Sequence, residues 1–166
     1  ASHIRAVTFT NKAAREMKQR ATELLTKAES KGLRISTFHT LGLNILQQDF
    51  STLGYRKGFS ILDGKDAEAC ITELQHKDSP EAELIKQTQY QISNWKNEFI
   101  TPEQALQQSE DVLQKHHATI YQAYQQQLQA CNSVDFDDLI MLPVLLFRAH
   151  EKILNKWQDR IHYLLI

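Results

Sequence analysis

Residues 6–17 read AVTFTNKAAREM, a stretch in which an apolar run meets a helical pattern with no glycine between them. Residues 5–9 are rich in Val, Thr and Phe, which is typical of a short strand. After residue 11, apolar side chains recur at spacings of three and four, the pattern of one helix face. These side chains are Ala14, Met17, Ala21, Leu24, Leu25 and Ala28. We predict a strand that leads directly into a helix, with Gly32 as the C-terminal cap of that helix.

The same order of elements occurs a second time. Residues 33–36 have the character of a strand and residues 37–50 that of a helix, and a strand, helix, strand, helix order predicts a parallel sheet. From about residue 63 onward the pattern is helical only. The predicted helices are residues 66–75, 80–99, 101–108 and 111–131. Their apolar faces, which predict a separate core, contain Ile85, Ile92, Trp95, Phe99, Leu113, Ile120, Tyr124, Leu128 and Cys131.

The last part of the chain returns to a mixed pattern. In VDFDDLI, residues 134–140, Asp135 can cap a helix and Asp138 can return the hydrogen bond from three residues further on. Pro143 should break or kink that helix, because proline lacks the backbone donor. A further helix through Trp157 and an apolar strand, residues 161–166, complete the pattern. The predicted fold is therefore α/β and mostly helical, with a partial parallel sheet interrupted by a large all-helical insertion.

Charge is distributed unevenly along the chain. The net charge is −1, but the first 40 residues carry eight basic and three acidic residues, which leaves them at +5 and the remainder at −6. The basic first segment indicates a local anionic partner, and the alternative is that its cations only cover a solvated helix face. The longest apolar run, residues 139–147, is far shorter than the roughly 20 residues that a membrane span needs. With no secretory signal either, we expect a cytoplasmic protein with no membrane partner.

Polar and aromatic side chains follow both predicted strands of the basic segment. They are Phe9, Thr10, Asn11 and Lys12 after the first strand, and Thr37, Phe38, His39 and Thr40 after the second. Hydroxyls, amides and the free N–H groups of a helix start suit phosphates, and aromatic rings stack on bases. The two junctions predict binding of a single nucleic-acid strand without sequence readout. The alternative, that Thr10, Asn11 or Thr37 only caps a helix, remains open.

Other chemistry finds no support in the sequence. The five glycines form no G-x-x-x-x-G-K-[ST] segment, so no loop for nucleotide phosphates is recognised. Asp137 and Asp138 are neighbours roughly 100° apart on a helix, which does not make a convergent acid and base pair. His116 and His117 have no His or Cys four residues away, so no metal site is expected.

Five segments carry a resemblance to a known family. AVTFTNKAAREM, ISTFHTLG, SNWKN, VDFDDLI and RIHYLLI occur in the order and approximate spacing of the UvrD/Rep/PcrA family of superfamily 1 DNA helicases, across essentially the whole chain. The first two resemble motifs Ia and Ib, which implies that residues 9–12 and 37–40 contact single-stranded DNA. The resemblance also implies three domain segments. They are the first part of a RecA-like motor domain at 1–40, an inserted helical subdomain near the incoming duplex at 41–134, and a return to the motor domain at 135–166.

The activity implied by this resemblance is that of an ATP-dependent 3′–5′ DNA helicase, a hydrolase acting on ATP. ATP and Mg²⁺ belong to the full-length enzyme, whose phosphate loop would precede residue 1 and whose Asp-Glu motif would follow residue 166. We therefore expect this piece alone to be inactive, with no catalytic residue, cofactor or metal of its own. The implied partners are single-stranded DNA, its junction with duplex and the remaining helicase domains, with self-association through an open sheet edge as a further expectation.

Two alternatives come from other classes of protein. The amphipathic helices and the −6 balance after residue 40 would also suit a noncatalytic helical protein-interaction module. A related helicase-nuclease subunit is less well supported, because no cluster of nuclease carboxylates with a lysine is recognised. Binding of single-stranded DNA by this chain distinguishes the helicase interpretation from the interaction module.

Overall fold

A computed structural model of the chain describes residues 1–75 and 82–166. In chain order its strands and helices are β1 (Ile4–Thr8), α1 (Asn11–Leu24), β2 (Arg34–Thr37), α2 (Phe38–Asp49), a 3₁₀ helix (Phe50–Leu53), β3 (Ser60–Ile61), α3 (Gly64–Leu74), α4 (Ala82–Asn97), α5 (Pro102–Gln108), α6 (Val112–Ala130), β4 (Ser133–Val134), α7 (Asp138–Ala149), α8 (Glu151–Gln158) and β5 (Tyr163–Leu165). The predicted helix start at residue 80 lies outside the described residues. None of the described helices combines the length and the apolar character needed to cross a membrane.

Contacts divide the chain into two compact units, residues 1–49 with 145–166, here the sheet unit, and residues 50–144, here the helical unit. The predicted α/β, mostly helical fold with a small parallel sheet is confirmed. The resemblance implied divisions at 40/41 and 134/135, and the assignment of the units to helicase subdomains remains a prediction.

The sheet unit is built on three parallel strands in the order β2-β1-β5. Ala6 and Val7 on the central strand are buried, which explains the apolar run in the middle of β1. Parallel pairing sets Thr8 beside Thr37, the last residues of their strands. Both strand-to-helix junctions therefore lie at the same edge of the sheet.

Polar contacts join α2 to α8 within this unit. Asp49, at the end of α2, accepts a hydrogen bond from the indole N–H of Trp157 at 2.9 Å and pairs with Lys156. Arg160 donates to the side-chain amide oxygen of Gln48, the residue before Asp49. Because Trp157 is buried, these bonds fix the segment that leads into β5.

The helical unit packs α3, α4, α5 and α6 around one core. The predicted core residues that are buried are Ile85, Ile92, Trp95, Ile120, Tyr124 and Leu128. Three other expectations for this core are wrong. Leu113 is half exposed in the first turn of α6, and Cys131 is exposed just after that helix ends. Phe99 lies beyond the end of α4, in left-handed backbone with φ of 59°.

The first helix is shorter than predicted. It ends at Leu24, and Leu25 is already extended, with φ of −113° and ψ of 141°. The reason is local, because the Glu29 carboxylate accepts hydrogen bonds from both the backbone N–H and the hydroxyl of Thr26, each at 2.8 Å. Such side-chain bonds give the backbone an alternative to the helix. Gly32 instead supplies a positive φ of 87° in the turn before β2.

Helix α7 continues through Pro143, so the helix does not break there, and the kink that was the other predicted outcome stays a prediction. Proline removes only one backbone donor, and the helix is held by apolar burial on either side of it. Met141 and Leu146 are both buried. Packing therefore outweighs the local preference at this position.

Candidate nucleic-acid interface

Two aromatic rings stand next to each other where β1 and β2 end. The register that pairs Thr8 with Thr37 makes Phe9 and Phe38 equivalent positions, and their ring centroids are 5.4 Å apart. The Phe9 side chain is 81% exposed, which is unusual for phenylalanine. An exposed ring backed by a second ring is a suitable surface for stacking a nucleic-acid base.

The threonines of the junctions cap the helices that follow. The Thr10 hydroxyl accepts a hydrogen bond from the N–H of Ala13 at 3.1 Å, and the Thr37 hydroxyl accepts one from the N–H of Thr40 at 3.2 Å. Both hydroxyls therefore cap a helix, and the predicted DNA contacts of Thr10 and Thr37 stay a prediction. Thr37 is itself buried, and its hydroxyl lies 2.9 Å from the hydroxyl of the exposed Thr40. The contact with Thr37 therefore fixes the position of the Thr40 hydroxyl.

An open groove of about 520 Å³, here the junction groove, lies between α1 and β2. Its lining residues are Asn11, Ala14, Arg15, Lys18, Ile35, Ser36, Thr37 and Thr40. The structure thus brings three of the eight predicted residues into one groove. The other five are not among its lining residues: Phe9, Thr10, Lys12, Phe38 and His39.

Two cations of the junction groove, Arg15 and Lys18, were not among the predicted site residues. They follow Asn11 at spacings of four and then three residues, so all three share one face of α1. That spacing was visible in the sequence. It could have extended the predicted site along the helix, because a phosphate held at the helix start would have these two side chains next to it.

A different charged cluster, here the buried ion network, lies inside the helical unit. The Lys96 ammonium is 2.7 Å from a carboxylate oxygen of Asp135 and 2.8 Å from one of Asp138. The Tyr124 hydroxyl donates to Asp135 at 3.0 Å, and the Gln125 amide donates to Asp138 at 3.3 Å. The Lys96 and Asp138 side chains are completely buried.

The same two aspartates form the predicted cap. The N–H of Asp138 donates to the Asp135 side chain at 2.9 Å, and the N–H of Asp135 donates to the Asp138 side chain at 3.2 Å. The capping prediction is confirmed, while the lysine that joins both carboxylates was missed. A signal existed, because Lys96 lies four residues after Ile92 and therefore falls on the apolar face of α4.

Burial dominates the electrostatics of this network. Burial raises the pKa of Asp138 to about 6, although the charge of Lys96 acts to lower it. For Lys96, burial opposes the charged form, yet Asp138 and Asp135 together raise the pKa of the ammonium above its ordinary value. The network therefore keeps a charged lysine in the core, where its role is to join α4 to the start of α7.

The two adjacent histidines of α6, His116 and His117, differ in their surroundings from a metal site. The ring Nδ1 of His117 is 3.0 Å from the hydroxyl of Thr88, inside the helical core. Burial, with the neighbouring His116, lowers the pKa of His117. Within residues 1–75 and 82–166, no group of three or more His, Cys, Asp or Glu side chains could hold a metal ion.

Comparison with known proteins identifies the class. A profile of the UvrD/REP helicase N-terminal domain matches residues 1–166, and the chain belongs to this family. It is 46% identical over its full length to the ATP-dependent DNA helicase Rep of Escherichia coli and 44% identical to Rep of Salmonella typhimurium, each time covering 25% of that protein. It is 36% identical to the ATP-dependent DNA helicase PcrA of Staphylococcus epidermidis, over 98% of the chain and 22% of that protein.

These matches confirm the resemblance to the UvrD/Rep/PcrA family. The chain spans about a quarter of the length of the relatives it matches. Those relatives are named as ATP-dependent DNA helicases, which are hydrolases.

Proposed function

We propose that this chain is part of an ATP-dependent DNA helicase that moves 3′ to 5′ on single-stranded DNA, and that it supplies single-strand contacts. One observation carries the proposal. The parallel register of β1 and β2 places two strand-to-helix junctions side by side, with the exposed Phe9 ring 5.4 Å from that of Phe38.

The chemistry of the junctions favours contact without sequence readout. In the junction groove, Asn11 and Thr40 offer neutral hydrogen-bonding groups, and Arg15 and Lys18 offer positive charge. Such groups bind the phosphates and sugars that every nucleotide shares. The Phe9 ring can stack on any base, because every base has a π face. A motor that moves along DNA of any sequence needs contacts of this kind.

We further propose that the sheet unit is part of a RecA-like motor domain and that the helical unit is the subdomain inserted into it, near the duplex. The exposed edge of β5 supports this assignment. Tyr163, Leu164 and Leu165 are all exposed, and an apolar strand of this kind is typical of a parallel sheet covered on both faces. The proposed occupant of this edge is a further strand of the motor domain, and pairing with a second copy of the chain is the alternative.

ATP and Mg²⁺ are proposed to bind outside residues 1–166, because the sequence contains no G-x-x-x-x-G-K-[ST] segment. The 166-residue chain should then show no DNA-stimulated ATP hydrolysis. Turnover that copurifies with the chain through several columns would contradict this part of the proposal. A cytoplasmic location follows as part of the same proposal, since chromosomal DNA is the substrate.

The main test is a fluorescence anisotropy titration of the chain with labelled oligonucleotides of several sequences. We expect weak binding that is alike for all sequences and that falls as salt rises, because bound phosphates release counterions. Phe9→Ala should cost about 1–3 kcal/mol of binding free energy. Asn11→Ala should weaken binding as well.

A matched control is Tyr90→Ala, which removes another exposed aromatic side chain from a different part of the molecule, the helical unit. This variant should bind single strands as the unaltered chain does. Equal binding by Phe9→Ala and Tyr90→Ala would contradict the proposed junction contacts. Absence of any DNA binding, together with capture of a protein partner, would favour the interaction module.

A further inference from the structure

The sheet unit contains a second concave surface, here the basic cavity, with a volume of about 590 Å³. Its walls come from β1, α1, β2, α2, α8 and the segments next to them. The lining residues are Arg5, Lys18, Ala21, Thr22, Ser30, Leu33, Arg34, Ile35, Ser36, Thr40, Leu41, Asn44, Gln48, Trp157 and Arg160. Four of these side chains are cationic and none is a carboxylate.

Strand pairing forces two of the cations together. In the parallel register, Arg5 on β1 lies directly beside Arg34 on β2. Burial, and then the charge of Arg34, lowers the pKa of Arg5. Like charges at paired positions of a sheet destabilise it. An anion between them would remove that repulsion.

The cavity does not neutralise this charge internally. Arg5 donates to the backbone carbonyls of Ser2 and Ile4 at 3.0 Å, and carbonyls carry no net charge. Arg160 donates to the neutral amide of Gln48. In the part of the chain that the structure describes, none of the four lining cations forms an ion pair. Asp49, which follows Gln48, does not line the cavity and is already paired with Lys156.

The basic cavity is continuous with the junction groove. The two share Lys18, Ile35, Ser36 and Thr40 as lining residues. A ligand held at the junctions can therefore extend past Lys18 toward Arg34 without leaving the protein surface. Lys18 and Arg34 are both exposed and so are open to such a ligand.

From this arrangement we propose that the basic cavity is a second phosphate-binding site, which holds the backbone of the same DNA strand beyond the nucleotides gripped at the junctions. This inference rests on the proposed function. Arg34 offers the planar fork that matches a phosphate, and Lys18 acts as a point charge between the two surfaces.

The cavity suits a phosphate backbone better than a base. Its one aromatic lining residue, Trp157, is buried and its indole N–H is already bonded to Asp49, so it presents no open face for stacking. The neutral lining groups, among them Ser36 and Asn44, can donate or accept hydrogen bonds with any phosphodiester. The site therefore increases the affinity for DNA and the number of nucleotides bound, without preference for their sequence.

The test uses the 166-residue chain and oligothymidylates of about 4 and about 12 nucleotides, which bracket common single-strand site sizes. The double variant Arg34→Gln with Arg160→Gln changes two exposed residues that line the basic cavity and not the junction groove, and it should bind the longer oligonucleotide several-fold more weakly. Its salt dependence, plotted as log K against log salt, should be shallower by about 1.4, because each lost phosphate contact removes about 0.7. Binding of the shorter oligonucleotide should change much less.

The matched control is Lys27→Gln with Lys31→Gln, which removes the same charge from exposed residues outside both surfaces. An equal loss of binding in both double variants would overturn the proposed site, since the net charge of the chain would then explain the loss. Weaker binding by Phe9→Ala with no effect of the Arg34 and Arg160 changes would overturn this inference and leave the proposed function standing. No binding of either oligonucleotide by the unaltered chain would overturn both.

A second measurement needs no DNA. Inorganic phosphate should raise the melting temperature of the unaltered chain and of the Lys27 and Lys31 variant, and raise that of the Arg34 and Arg160 variant less. The cause would be a bound anion that relieves the repulsion between Arg5 and Arg34. Equal shifts in all three proteins would contradict an anion site in the basic cavity.

Discussion

The buried ion network of the helical unit and the basic cavity of the sheet unit differ in whether their cations are paired with carboxylates. In the helical unit the Lys96 ammonium is completely buried and lies within 2.8 Å of two carboxylates. In the sheet unit Arg5 lies beside Arg34 along a cavity that no carboxylate lines. The helices that carry these charges or lie next to them also differ in burial: α6 of the helical unit buries six residues, and α1 of the sheet unit buries none.

This contrast separates charge that specifies the fold from charge that is available to a ligand. A buried ion pair gives little net stability, but removing one partner is costly, so it acts as a constraint on how helices pack. Exposed cations without a counterion contribute little to the fold and attract anions instead. The helical unit is therefore expected to tolerate few changes at its charged core residues, and the sheet unit to tolerate many at its basic surface.

The largest effect should come from Lys96→Met. This change leaves Asp135 and Asp138 buried without their cation, which should cost about 3–5 kcal/mol of unfolding free energy. Urea denaturation followed by circular dichroism measures it. Lys86→Met is the matched control, since Lys86 lies exposed on the same helix. Equal stabilities of the two variants would mean that the network does not constrain the fold.

A pair of aromatic truncations compares the two units directly. Trp95 is 8% exposed in the helical core, and Trp95→Ala should lower the unfolding free energy by about 3 kcal/mol. Phe9→Ala should leave the melting temperature nearly unchanged, because the ring is already in water. Thermal melts of both variants are sufficient. A large loss of stability in Phe9→Ala would place that ring in the core and remove it from the proposed interface.

The buried ion network should also give the chain a measurable pH dependence. Burial raises the pKa of Asp138 from 3.8 to about 6, so the folded chain binds this proton more tightly than the unfolded chain. The stability that it contributes is present below about pH 4 and is lost as pH rises to about 6. We expect a difference on the order of 1–3 kcal/mol.

Denaturation of the unaltered chain and of Asp138→Asn at several pH values isolates the titration of the buried ion network, because groups outside the network titrate alike in both proteins. The stability of the unaltered chain relative to the variant should fall between pH 4 and pH 6. Parallel pH profiles for the two proteins would show that Asp138 titrates at its ordinary pKa.

The smallest predicted effect concerns the cap of α1. Thr10→Ala removes the acceptor for the N–H of Ala13 and should cost about 1 kcal/mol of stability. Thr10→Ser keeps the hydroxyl and should restore most of it. The measurement is again the denaturation midpoint. If both variants match the unaltered chain, the observed cap bond contributes nothing to folding.

Much of the fold could be predicted because its signals are local. Strand and helix periodicity located β1, the start of α1, β2 and most helices of the helical unit to within a few residues. The errors occurred where a specific contact overrode the pattern. The bond between Thr26 and Glu29 ends α1 early, and burial of Met141 and Leu146 carries α7 through Pro143.

The candidate site was predictable only in part, for a related reason. The junction residues follow strands directly, so parallel pairing alone brings them together. Lys96 and Asp135 are 39 positions apart, and Arg5 and Arg34 meet only through the sheet register. The periodicity of a single segment cannot predict contacts between residues that lie in different elements. The charge asymmetry of the first 40 residues was visible in the sequence, but it could not say which cations share a surface.

The position of β5 next to β1 has a consequence for the order of folding. Ile4 pairs with Tyr163, so the central strand of the sheet acquires this neighbour only after the entire helical unit has been synthesised. The contacts of residues 50–144 lie between these two strands in sequence and close shorter loops, so they can form first. We expect the backbone amides of β5 to be the last of the sheet to gain protection from hydrogen exchange during refolding. Until then the edge of β1 that later pairs with β5 is open, and the nascent chain is most exposed to pairing with the wrong strand.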